Sequence, residues 1–447
     1  MFALKLMTAL KPKFSNIAVA MLGREPSMFL SKPKNCFAVS NLSTTGQRPS
    51  NRIFYNYNCT TINYAVKNKT TTNNINNTNI ISRSARLFHT TPRRYINPII
   101  LMLVKPLSKF VSMFSGRYFR IWWRRLTPEQ KLHYKNKFFK NYKYLVIPFG
   151  VLVIGEGIFY YTHLQTTPIT NRKRFIGISD DQMMKLSEFE LKVQIEQLKE
   201  NIVPANHPLY RKIQLIVQRL IDSNGDLDKL RTQHWTICVV NNDTSNAFVL
   251  PSGHIFVFTG LMKHISNDDE LAFILGHEIA HAVLNHGAEQ VSFSSLLDVL
   301  IIISMAMIWA IMPGDGLAMV TQWFYDKVLN IMLHLPYSRK LELEADEVGL
   351  RLVAKACFDV REASLIWQKW SLLEQLNGDG NANDLPALLS THPNFEERSD
   401  KLDNLMQDAI DMRKLCNCPE LKSSSSSNDL KRLKMLVDEK LSKNDRV

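Results

Sequence analysis

The chain has 447 residues, enough for two or three domains with a buried core, and carries 55 Lys+Arg against 41 Asp+Glu for a net charge of +14. The excess is uneven: residues 1–144 hold 25 Lys+Arg and two acids, Glu25 and Glu129, so that 145–447 hold 30 basic and 39 acidic residues. The main body is therefore acidic and lacks a basic stripe with interleaved aromatics, which excludes nucleic acid as a partner and leaves a basic leader to explain.

The first hundred residues contain 14 Lys+Arg and one acid and open with MFALKLMTALKPKF, where apolar and basic residues can share a helix. This is mitochondrial presequence chemistry, without the continuous apolar core of a secretory signal. TTTNNINNTN (70–79) has too little apolar surface to fold. RLFHTTPRRY (86–95) matches the Arg-x-Phe-x-x-Thr context of a matrix processing site. Residues 1–95 are accordingly expected to be a disordered presequence, and 96–144 a basic segment on the matrix side.

LVIPFGVLVIGEGIFYY (145–161) is a candidate transmembrane helix at the short end of the spanning range, with Tyr142, Tyr144, Tyr160 and Tyr161 as interfacial anchors. Glu156 would cost about 2.5–3.5 kcal/mol at mid-membrane, so it is expected to be protonated, near an interface or facing a partner helix. Residues 94–144 carry 12 Lys+Arg and one acid, whereas Arg172, Lys173 and Arg174 are the only basic residues just after the span. The positive flank predicts a matrix-side N-terminus and a body in the intermembrane space. That oxidising compartment permits a disulfide between Cys357 and the Cys416/Cys418 pair, and the cysteine spacings fit no zinc ribbon.

Apolar positions at helical spacing over 180–224 are followed by the short β-branched and aromatic runs WTICVVNN, AFVLPSG and HIFVFTGLM. An α+β, mainly helical domain with a small antiparallel sheet is predicted. SNDDELAFILGHEIAHAVLNHGAEQ then reads as a helix with Ser266 or Asn267 as N-cap and three acids in its first turn. It carries His277 and His281 one turn apart on one face, where two imidazoles can reach one metal ion, with Glu278 placed to take a proton from a metal-activated water. His286, near the helix end, is expected to be a capping or surface residue.

A zinc hydrolase of this kind needs a third protein ligand. SRKLELEADEVG (338–349) offers Glu342, with Asp346 one turn later to accept a ring N–H from a ligating histidine. Glu342 shares its face with apolar Leu341, Ala345 and Val348, whereas Glu344 falls with Glu347 and Arg351 on a face expected to be solvated. LLDVLIIISMAMIWAIM (296–312), interrupted by Asp298, is expected to enter or lie along the membrane, or to pack on the catalytic core.

Taken in order, NAFVLPSGHIFVFTGL, HEIAH, SRKLELEAD and STHPNFEER resemble the membrane-associated gluzincin peptidases that include HtpX and the CAAX prenyl protease. With the leader and the span, the chain looks most like Oma-type inner-membrane metalloendopeptidases over roughly 180–410. The resemblance implies a zincin-like metallopeptidase domain (180–418); the serine run KSSSSSND (422–429) marks the remainder, 419–447, as a linker and a charged helix. It also implies one Zn2+ per subunit held by His277, His281 and Glu342, catalysis by Glu278 with His392 stabilising an oxyanion, support from Asp346 and Arg398, and substrate strand addition at Asn246 and Ala247. The function it implies is ATP-independent endoproteolysis of inner-membrane or intermembrane-space proteins in quality control and stress response, with membrane lipid as a second partner and a homo-oligomer left open. An inactive membrane scaffold and another zinc hydrolase, such as an aminopeptidase, are the alternatives.

Overall fold

The computed structural model describes residues 60–62, 98–377, 392, 394–421 and 430–437. The expected leader and its processing site lie outside these residues, apart from the three-residue strand β1 (Thr60–Ile62). The basic segment that follows is helical: α1 (Pro98–Arg125), α2 (Pro128–Asn141) and α3 (Lys143–Thr162). Thr127 caps α2 by accepting from the Gln130 N–H, with Pro128 in the first turn, where its missing N–H costs nothing. The large apolar side chains of α3 from Val146 to Tyr161 are exposed.

A hairpin of β2 (Leu164–Thr166) and β3 (Lys173–Phe175) leads from α3 into the body, which begins with α4 (Asp180–Leu198), α5 (Pro208–Asp222) and the short α6 (Asp228–Thr232). The main sheet contains β4 (Trp235–Val240), β5 (Ala247–Val249) and β6 (His254–Phe258) in the order β1-β4-β6-β5. It is small, as expected, but not wholly antiparallel: β6 pairs antiparallel with β5 and parallel with β4. The turn after Leu250 folds β6 back along β5 and into the sheet beside β4; at its end Gly253 takes φ +86°, where a Cβ would collide with the His234 carbonyl. All six β4 residues are buried, so WTICVV has no polar face to disclose its neighbour's direction.

The site-bearing helices follow: α7 (Asp268–Val283), α8 (His286–Ile311), α9 (Asp315–Leu329), a π-helical turn at Asn330–His334, α10 (Leu335–Lys355), α11 (Glu362–Asn377) and α12 (Phe395–Leu415). The core gathers Ile213, Val217 and Leu220 of α5, Ile237 and Val239 of β4, Phe273 and Ile274 of α7, and Trp367 and Trp370 of α11. A disulfide joins Cys357, just past α10, to Cys418, just past α12, while Cys416 is free and exposed.

Among the described residues, α8 alone is long and apolar enough by itself to cross a membrane; Pro128–Asn141 and Val146–Thr162 reach that measure only as a pair bent by 54°. Helix α1 runs along α8 in the same direction. Lys105 and Lys109 reach Asp298 at 3.0 and 2.9 Å, and Arg117 reaches Asp315 at 2.9 Å beyond the far end of α8. The segment 296–312 thus packs on α1, which supplies the counter-charges for its one acid.

Helices α7 and α10 meet through Gly276 and Gly349, and a Cβ on Gly349 would stand 3.0 Å from both the N and Cα of His277. Gly349→Ala should lower stability by about 1–3 kcal/mol through overpacking. Gly225→Ala, whose Cβ would meet only the Asp222 carbonyl at 3.8 Å, should change it little. Denaturant unfolding of the detergent-solubilised chain measures both.

Candidate metal centre

Helix α7 starts where Asn267 accepts from the Glu270 N–H at 2.8 Å and where Asp268, Asp269 and Glu270 complement the positive end of the helix dipole. The rest of the helix is almost wholly buried, which carries His277 and His281 into the interior. Their Nε2 atoms lie 3.1 Å apart. From α10, Glu342 brings Oε2 to 3.4 Å from His277 Nε2 and Oε1 to 3.6 Å from His281 Nε2. His392, preceding α12, sets Nδ1 2.5 Å from Glu342 Oε2 and 3.4 Å from His277 Nε2. These four groups each offer a ligand atom, all within 4.8 Å of one another, and could hold a metal ion.

The donor set of imidazoles and one carboxylate suits a borderline-soft divalent cation. Glu278 adds a second observation: its Oε1 is buried with no hydrogen bond and lies 3.4 Å from His392 Nε2, at the edge of the cluster. Such an orphaned buried oxygen is costly unless a ligand or water uses it.

Around this cluster stands a layer of fixed charges. His277 Nδ1 is 3.0 Å from Asp346 Oδ1. Arg398 binds both Asp346 oxygens, Nε to Oδ2 at 2.6 Å and Nη2 to Oδ1 at 2.7 Å, and donates to the His392 carbonyl at 3.1 Å. Trp367 donates its indole N–H to Asp346 at 3.2 Å, and its ring lies 4.0 Å from the Arg398 guanidinium carbon. Burial opposes the charge on Asp346, but the charge and bonds of Arg398 outweigh it and hold the carboxyl below its ordinary range. Asn246 and Ala247 sit at the start of β5, which is an edge strand of the main sheet and packs beside α7.

Two expectations are overturned. His286 is neither a cap nor on the surface. Asn285 takes φ 56°, the helix breaks there, and His286 opens α8 as a buried residue 3.0 Å from His281, Nδ1 to Nδ1. Asn-His-Gly at the end of an apolar helix carries the residue types of a C-terminal stop, a signal that could have turned His286 inward. Glu344 is not solvated either: it is 6% exposed, binds Arg172, Thr170 and His286, and is held far below the carboxylate range because those bonds outweigh its burial. Its partners come from the β2–β3 hairpin and from α8, too distant in sequence for helical spacing to reveal. Glu347 and Arg351 do pair at 2.9 Å on the outer side of α10. No sequence signal marked Trp367 or Arg172.

Residues 209–406 match peptidase family M48. The chain is 41% identical over 345 residues to the mitochondrial metalloendopeptidase OMA1 of Bos taurus, covering 76% of this chain and 65% of the relative. It is 40% identical over 344 residues to the Homo sapiens protein of that name, covering 76% and 64%. Against that of Danio rerio it is 37% identical over 346 residues, covering 76% and 72%. The chain thus spans just under two thirds of the length of the two mammalian relatives.

The Asp346–Arg398 pair is fully buried, so Arg398→Met strands a carboxylate in the interior and should cost about 3–5 kcal/mol. Arg351→Met removes only the partly exposed pair with Glu347 and should cost less than about 1 kcal/mol. Unfolding midpoints of the two variants provide the comparison.

Proposed function

Because this chain belongs to the OMA1 family of mitochondrial metalloendopeptidases within peptidase family M48, we propose that it is a zinc-dependent, ATP-independent endopeptidase of the mitochondrial inner membrane. One observation carries this reading: His277, His281 and Glu342 converge within ligand distance of one another beside the unbonded Oε1 of Glu278. Those three side chains would hold one zinc ion per subunit. The ion, when bound, supplies a Lewis acid that polarises a peptide carbonyl and lowers the pKa of water. Glu278 takes the proton of the attacking water and returns it to the leaving amine. His392, whose ring lies between Glu342 and Glu278, donates to the oxyanion that develops on the substrate. Asp346 accepts the His277 Nδ1–H and is fixed by Arg398, so the ring cannot rotate away from the ion. The edge of β5 at Asn246 and Ala247 takes the substrate backbone as an added strand.

The substrates of this reading are proteins of the inner membrane and intermembrane space, cleaved in quality control and stress response. The helices support a membrane setting. At 1.5 Å per residue, α8 reaches about 39 Å from its start beside His281, more than the roughly 30 Å of a bilayer core. Helix α9 and the π-turn lead back to Glu342, so the site residues stay on one side. Arg117, Arg120 and Arg124 bind at the far end of α8, around Met312 to Asp315. Positive charge opposite the catalytic body favours a matrix location for that end and the intermembrane space for the body, with 145–161 as a further span.

Glu278→Gln keeps the metal-binding side chains and removes the base. It should retain wild-type zinc content by elemental analysis while proteolysis of an unfolded protein substrate falls by about 10²–10⁴-fold; undiminished turnover would refute the mechanism. For the topology, protease added to mitoplasts should digest the 200–420 region that intact mitochondria protect. Protection in both preparations would put the catalytic domain in the matrix.

A further inference from the structure

Next to the proposed zinc ligands lies a second buried cluster, His286, Glu289 and Glu344, with the spacing of a metal site. A cation already occupies it. The guanidinium of Arg172 binds Glu289 through Nη1 at 2.6 Å and Nη2 at 2.7 Å, and Glu344 through Nε at 2.8 Å and Nη2 at 2.5 Å. Tyr337 adds its hydroxyl to Glu289 at 2.7 Å, and Arg174 lies 3.6 Å from the same carboxylate. With two carboxylates matched by two guanidinium groups, no charge is left over to attract a second metal ion.

The cluster's remaining bonds lead to the zinc site. Building on the function proposed above, we infer that His286, held by Glu344 and Arg172, is a positioning residue that fixes the tautomer and orientation of His281. The protons decide this. His281 faces the other ligands through Nε2, so that nitrogen must be unprotonated to bind metal and Nδ1 must carry the hydrogen. The atom 3.0 Å from Nδ1 is His286 Nδ1, which therefore accepts, and His286 carries its own hydrogen on Nε2. That N–H points to Glu344 Oε2 at 3.2 Å. The result is a chain of one sense: His281 Nδ1–H to His286 Nδ1, His286 Nε2–H to Glu344, and Glu344 to Arg172. His277 is oriented directly by a carboxylate; His281 is oriented by a carboxylate acting through an interposed imidazole.

Arg172 is presented at a backbone cost. In the hairpin turn preceding it, Ile169 and Asn171 take φ of 73° and 53°, a region that a β-branched isoleucine rarely enters. Thr170 between them binds Glu344, so the turn's strained shape is held by the same carboxylate that the relay uses.

The test uses the full chain in detergent with cobalt(II) as probe, reading affinity by chelator competition, ligand-field bands by absorption, folding by circular dichroism, and kcat and KM of the zinc form. His286→Asn, too short to span His281 and Glu344, should weaken cobalt binding by about 10–100-fold and shift the bands. His286→Gln, whose amide can accept from one partner and donate to the other, should recover most of the affinity and the wild-type bands. Both variants should lose more in kcat than in KM. If His286→Asn does not fold, Glu344→Gln replaces it: the side chain keeps its size, loses the charge that anchors the chain, and should also weaken binding and shift the bands. Wild-type affinity and bands in the folded variant, or equal losses in His286→Gln and His286→Asn, would overturn the inference. Glu342→Gln separates the two levels of argument. If it leaves cobalt binding intact, the zinc assignment itself fails and the relay with it; if it abolishes binding while the folded His286 variant does not, only the relay fails.

Discussion

A Cβ on Gly349 would lie 3.0 Å from the backbone of His277, and one on Gly276 would lie 3.1 Å from a Val353 methyl, so α7 and α10 approach as closely as they do because neither glycine has a side chain. This contact sets the reach between the α7 histidines and Glu342 of α10. Glutamate and histidine side chains have fixed lengths, and the Nε2 atoms of α7 meet the Glu342 oxygens of α10 at 3.4 and 3.6 Å only at that helix separation. The same approach brings Asp346, one turn beyond Glu342, against His277 Nδ1 on the opposite side of the ring. A single backbone contact therefore positions both a proposed ligand, Glu342, and the group that orients another, His277.

Close packing of this kind drives charge into a dry interior, and the fold answers with paired layers. Asp346 is matched by Arg398, and Glu289 and Glu344 by Arg172 and Arg174. Buried pairs of this sort contribute little net stability compared with apolar packing, because desolvation offsets most of their attraction. Their effect lies in geometry: Arg398 grips both oxygens of Asp346, which holds the His277 ring, and Arg172 grips Glu344, which holds the His286 ring. The cost is a region where truncating one partner leaves a charge with no solvent to receive it.

Helical spacing within one segment was a good guide to this centre, and contacts between segments were not. His277, Glu278 and His281 follow from a four-residue repeat on an apolar helix, and Glu342 was separated from Glu344 because Leu341, Ala345 and Val348 mark its inward side. The same argument failed for Glu344, because a helix can be buried on two faces when a second element covers the other one. The β2–β3 hairpin does that here, reaching Glu344 from 172 residues away in the chain. His286 was misplaced because one residue, Asn285 in the left-handed region, ends α7 and redirects the chain. In the sheet, the fully buried β4 lacked the alternation that would have shown which way its neighbours run. The oxidising compartment only permitted a bridge from Cys357 to the 416/418 pair; that it forms with Cys418 depends on α10 and α12 bringing their ends together, a contact between segments that spacing does not disclose.

The Arg172 node also marks where the apolar helices enter the body. Arg172 belongs to the hairpin that follows α3, His286 and Glu289 to the first turn of α8, and Tyr337 to the first turn of α10 after the return through α9. Three separate connections thus end on one buried network, and that network touches His281. At the other end of α8, Asp315 binds Arg117 and Arg120, and midway Asp298 binds Lys105 and Lys109, so α1 is held to α8 along its length by charge as well as by packing. Gly116 lets them close, because a Cβ there would strike the Ala306 carbonyl. A rigid pair of helices anchored at the first turn of α8 leaves that turn little freedom to move independently of the pair. His286 and Glu289, in that first turn, thus join the helix pair to the body one side chain away from the proposed zinc ligand.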